Sequence, residues 1–144
     1  MKFLMNAVVV SALSIANVAF AEATDPDVMA RQALMKTIGV NTKILGDMAG
    51  GKSAFDQAAA DTAKAALAAA AAEIPVKFEP QATDPDSEAK PEIWTNWDDF
   101  VAKGNALATA AAAIDTASVE TIGAGMGGVG GACGACHKAY RVKK

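Results

Sequence analysis

The chain has 144 residues, 52% of them hydrophobic, and a formal net charge of −3. That length suits a single domain with one core. The mildly acidic balance argues against nucleic acid or an anionic membrane surface as a partner.

The N-terminus reads as a targeting segment. Met1 and Lys2 form a short basic start, and an apolar run follows from Phe3 to Val18. Ala19-Phe20-Ala21 then supplies an A-x-A cleavage pattern, the layout of a secretory signal peptide. A membrane anchor is the rival reading, but the run falls short of the ~20 apolar residues of a spanning helix. Cleavage is therefore expected after Ala21, giving residues 1–21 as signal and 22–144 as the domain. The mature chain keeps 12 basic and 16 acidic residues, and no other segment is apolar enough to span a membrane.

Four helical segments are expected in the mature chain. The first opens with Asp25 as N-cap and Pro26 in the first helical position. Apolar residues then recur at three- and four-residue steps from Val28 to Leu45, and Gly46, Gly50 and Gly51 bring the helix to an end. Ser53 is the expected cap of the second helix, with Asp56 three residues later. Twelve of the 22 residues from Ser53 to Ile74 are alanine, the best helix former. Phe55, Leu67 and Ile74 mark a packed face.

Pro75, Pro80, Pro85 and Pro91 punctuate the next stretch, so residues 75–90 are expected to form a long loop, and long loops in small domains are often functional. The third helix is expected from Pro91 to about Ile114. Trp94 and Trp97, one turn apart on it, read as core residues rather than cofactor contacts.

The fourth segment, residues 116–141, is anomalous. Six of the nine residues from Gly123 to Gly131 are glycine, each costing a helix ~1 kcal/mol relative to alanine. Either it is a flexible loop, or something bulky packs on it.

The next residues decide. Both cysteines of the chain and its only histidine fall in Cys133-Gly134-Ala135-Cys136-His137. This is C-x-x-C-H, the attachment pattern of c-type haem. Thiols three apart share a helix face and can each add to one haem vinyl group, while the adjacent imidazole binds iron. The rivals fit less well. A redox C-x-x-C pair belongs to a βαβ context, and a structural zinc site needs four ligands. A plain disulfide leaves His137 unexplained. Gly128, Gly131 and Ala132 are expected to let the macrocycle approach the fourth helix.

A C-x-x-C-H motif in the last helix of a four-helix chain resembles the class II c-type cytochromes, the cytochrome c prime family. The resemblance includes Arg31-Gln32-Ala33-Leu34-Met35, Pro91-Glu92-Ile93-Trp94, and Ala139-Tyr140-Arg141 after the motif. It implies an all-α, left-handed antiparallel four-helix bundle holding one covalent haem c near one end. It also implies a periplasmic location, redox proteins as partners, and in many members a homodimer, which the alanine-rich second helix suits. By the same resemblance Arg31 and Gln32 contact haem edges and propionates. Thr83 and Asp84 meet the haem from the loop, and Arg141 lies near the proximal imidazole.

Met35 matches the family position facing iron opposite the histidine. In one branch that residue is apolar, the iron is five-coordinate, and nitric oxide or carbon monoxide binds. In another branch a methionine is the sixth ligand of a low-spin electron carrier. Packing against haem without ligation is the alternative role for Met35. Met126 does not compete, because it lies eleven residues before His137, ~16 Å along the same helix. With no second histidine for acid–base work, an electron carrier rather than an enzyme is expected.

Overall fold

The computed structural model describes residues 23–143; the expected signal segment lies outside them. Six helices follow in order: α1 (Pro26–Ala49), α2 (Gln57–Ala72), α3 (Ile74–Phe78), α4 (Glu92–Thr95), α5 (Trp97–Ala112) and α6 (Val119–Tyr140). Four of them are long, and each packs on two neighbours in the cyclic order α1, α2, α5, α6. Short-range ties fix the directions. Thr116, after α5, hydrogen-bonds Asp61 near the start of α2, and Tyr140 at the end of α6 bonds Asp99 at the start of α5. Neighbours are therefore antiparallel, and the fold is an all-α four-helix bundle.

Asp25 caps α1 as expected. Its carboxylate accepts from the amides of Asp27 at 2.9 Å and Val28 at 3.1 Å. The start of α2 differs from expectation. Asp56 rather than Ser53 is the cap, accepting from the Ala59 amide at 2.9 Å. The amides of Lys52 and Ser53 are instead drawn back to the Asp47 carbonyl, which winds the chain into a turn before α2 begins.

The proline-rich stretch is not wholly a loop. Pro75 sits in the first turn of α3, where its missing N–H costs nothing. The third helix is likewise not continuous. Asn96 breaks it, with φ −125° and ψ 46°, and donates from both its backbone and its side chain to the Glu92 carbonyl. Asparagine competes with the helical pattern in this way wherever its amide finds a nearby carbonyl.

The glycine-rich segment is a regular helix throughout, α6. Ser118 caps it and shares a capping box with Thr121. The expectation for Gly128, Gly131 and Ala132 needs correction. Gly128 faces Ala110 of α5, and a side chain at Gly131 would meet nothing within 4 Å. None of the three lines the cavity described below. The close approach falls at Gly125, where a Cβ would lie 3.1 Å from the Ile114 side chain.

Leu45, Leu67, Ile93, Ile114 and Ile122 are fully buried. Ala60, Ala63, Ala70 and Ala71 of α2 are buried with them, so the small face of α2 is spent on packing inside the chain. Full burial of one leucine stabilises by about 1.5–3 kcal/mol.

Candidate haem site

The bundle is not filled at one end. A cavity of about 560 Å³ opens between α1, α3, α5, α6 and residues 86–89, within the ~300–1,000 Å³ usual for cofactor sites. Its inner wall is apolar, built from Val28, Ile38, Ile74, Phe78, Ile93 and Phe100. Gly104 of α5 completes that wall, where a Cβ would press on Ile74 at 3.2 Å.

Helix geometry places the chemistry. Arg31, Met35 and Ile38 recur at steps of three or four on α1, and all face the cavity. Cys136 and His137 face it from α6, which packs on α1. Cys133 is one turn earlier, half-buried against the core, and both thiols are free. Partial burial pushes both thiol pKa values up, with Lys103 opposing the shift at Cys136. It pulls the His137 imidazole down, Arg141 adding to the effect and Glu88 opposing it. The imidazole is then neutral at pH 7, the form that binds a metal.

The other expected residues divide. Arg31 is buried, and its guanidinium is occupied. Nε donates to the Lys77 carbonyl at 3.2 Å, Nη1 to Ala82 at 3.1 Å, and Nη2 to Pro80. Its charge also lies 5.1 Å from the Trp94 ring centre and 5.3 Å from that of Phe78. Gln32 lines the rim and donates to the Asp86 carboxylate at 3.3 Å. Arg141 lines the rim, with its Nε 2.5 Å from Glu88.

Thr83 and Asp84 are not among the residues lining the cavity. Asp84 instead accepts from the amides of Asp86, Thr24 and Asp25 and from the Thr24 hydroxyl, which hold its pKa at about 2. It pins the loop to the start of α1. Trp94 and Trp97 pack against the core, and the Trp94 indole donates to the Phe78 carbonyl at 2.8 Å.

Sequence reasoning missed Lys103, Gly104 and Glu88 as cavity residues. A usable signal existed for one of them. Gly104 interrupts a run of good helix formers, and a lone glycine there marks a close approach.

Two thiols one turn apart, a neutral imidazole and an apolar cavity suit a large, flat, covalently attached metal macrocycle. Fold and site together define a bundle-type c cytochrome. Residues 27–141 match the family model described as Cytochrome C'. A cytochrome c-556 of Agrobacterium tumefaciens (strain apple 185) is 41% identical over 121 residues, covering 80% of this chain and 94% of the relative. The structure of a cytochrome c' from Rhodobacter spheriodes superposes with a TM-score of 0.75 at 31% identity, covering 82% of this chain and 96% of that one. A nitric oxide complex of a cytochrome c prime variant from Alcaligenes xylosoxidans gives a TM-score of 0.72 at 26% identity, covering 81% and 94%. The chain belongs to the cytochrome c' family, the class II c-type cytochromes, and its cofactor is covalently bound haem c.

Proposed function

We propose that the protein is a periplasmic monohaem carrier of single electrons, with His137 and Met35 as the axial ligands of iron. Cys133 and Cys136 form the thioether bonds. The observation that carries this reading is that Met35 of α1 and His137 of α6 line one apolar cavity between two packed helices. When bound, the haem supplies a one-electron iron couple whose potential a thioether ligand raises.

The chain's own residues set the conditions. Phe78, Phe100 and Ile38 exclude water from the cavity interior. Met35 and His137 would hold the iron from two helices already packed together, so little of the chain would rearrange when an electron arrives or leaves. Arg31 fixes the wall by tying α1 to α3 and the following loop. Electron transfer asks for no acid–base side chain, and no catalytic turnover is assigned. Secretion follows from residues 1–21, with cleavage after Ala21.

Optical spectra of the ferric and ferrous protein, wild type and Met35→Ala, test the ligation. A low-spin wild type that turns high-spin on substitution supports it. A high-spin wild type unchanged by Met35→Ala overturns it. The likeness to a nitric oxide complex favours one second reading, binding of nitric oxide or carbon monoxide beside Met35. That reading requires the high-spin wild-type spectrum and a spectral shift on adding either gas.

A further inference from the structure

We propose that the C-terminal end of α6 is the docking surface for a redox partner with an acidic face. The proposal rests on the electron-carrier reading and names the chemistry of the partner. Electron transfer weakens steeply with distance, so a partner must dock where the cofactor cavity wall meets solvent. His137 and Arg141 line the cavity, and both residues are exposed.

The surface around them has the make-up of an interface. Val142 is an exposed apolar residue, 42% accessible. Lys138 in the last turn of α6 and Lys143 next to Val142 are both exposed, and neither is in an ion pair among the described residues. Lys90 adds a further cation, with Nζ 3.4 Å from the Ala139 carbonyl. An apolar centre with a charged rim is how protein interfaces are commonly arranged. The nearby acids are engaged: Asp86 accepts from Gln32, Glu88 pairs with Arg141, and Asp99 accepts from the Tyr140 hydroxyl and from Lys103.

The surface is also held in shape. The Lys90 amide donates to the Tyr140 carbonyl at 3.0 Å, and the Val142 amide to the Glu88 carbonyl at 2.8 Å. These bonds form an antiparallel bridge between Ala89 and Arg141. A partner therefore need not order this segment on binding, which lowers the cost of association.

Charge makes the proposal sharply testable. The domain as a whole is acidic, with 16 acidic against 12 basic residues after removal of the signal. Net charge alone repels an anionic reagent, whereas the α6 surface attracts one. Ionic strength screens whichever interaction dominates, so the sign of the salt dependence tells them apart.

The experiment follows oxidation of the ferrous holoprotein by hexacyanoferrate(III) and by tris(phenanthroline)cobalt(III) across a range of salt. Each reagent takes one electron from the protein and is itself reduced. The hexacyanoferrate rate is expected to fall several-fold as salt rises. Lys138→Glu/Lys143→Glu should reverse that trend. Lys52→Glu/Lys64→Glu makes the same change in net charge on and before α2 and should preserve its direction. A wild-type hexacyanoferrate rate that rises with salt overturns the docking surface alone. No exchange with either reagent overturns the carrier reading beneath it.

Discussion

The Tyr140 hydroxyl donates to the Asp99 carboxylate across 2.5 Å, joining the last residue of α6 to the first turn of α5. Lys103 holds the other oxygen of Asp99 at 2.9 Å. The Tyr140 ring meets Phe100 edge-on at 5.4 Å, so one side chain links two helices and a wall of the cavity. The bond to Asp99 pushes the phenol pKa up to about 12. Its folded pKa is raised, so its contribution to stability is complete below the ordinary phenol range and is lost as pH rises through about 12. Tyr140 is the only tyrosine in the chain. Tyrosinate absorbance therefore reports it alone, and Asp99→Asn should bring the titration back toward 10.

Asp84 gives the opposite sign. Its folded pKa of about 2 lies below the ordinary 3.8. Its stabilisation is complete above that ordinary value and is lost as pH falls toward 2. Thermal melts at pH 7 should show Asp84→Asn less stable than wild type, and the gap should close near pH 2. A gap of equal size at both values would mean that the carboxylate charge is not what pins the loop.

Arg31 is expected to behave as a structural residue whatever it contributes to the cofactor. Arg31→Met leaves the carbonyls of Lys77, Pro80 and Ala82 without their donor. Lys77 and Pro80 are exposed and Ala82 is half-buried, so water can reach these carbonyls, and each lost bond costs about 1 kcal/mol. Denaturant unfolding of the holoprotein should show a loss of at least that size. Arg31→Lys should recover only part of it, since an ammonium cannot reproduce the guanidinium fork.

The glycines of α6 should split into two classes. At Gly127 a side chain meets nothing within 4 Å, so Gly127→Ala should stabilise by about 0.5–1 kcal/mol through the helix backbone. At Gly125 a Cβ would lie 3.3 Å from the Ile114 Cα. Gly125→Val should therefore destabilise by about 1–3 kcal/mol through overpacking. Melting temperatures moving in opposite directions would establish the split; equal shifts would refute it.

The sequence by itself determined the features that depend on a few neighbouring residues. Asp25 and Pro26 announce the start of α1 because a cap and its helix are adjacent. The C-x-x-C-H pattern specifies covalent haem because the thiols and the imidazole need only one turn of helix to share a face. The apolar period of α1, from Val28 through Met35 to Ile38, also foretells which side of that helix is covered.

Tertiary structure decided what depends on distant segments. No local rule brings Arg31 to carbonyls 46 to 51 positions away, or Glu88 to Arg141 across 53 residues. The extra turn at Ile74–Phe78 also depended on such a partner, because the indole of Trp94 holds the end of α3. The glycine-rich segment is the plainest case. Its own propensities disfavour a helix, yet α6 is continuous because α1 and α5 pack against it and its small residues admit close contact with Ile114.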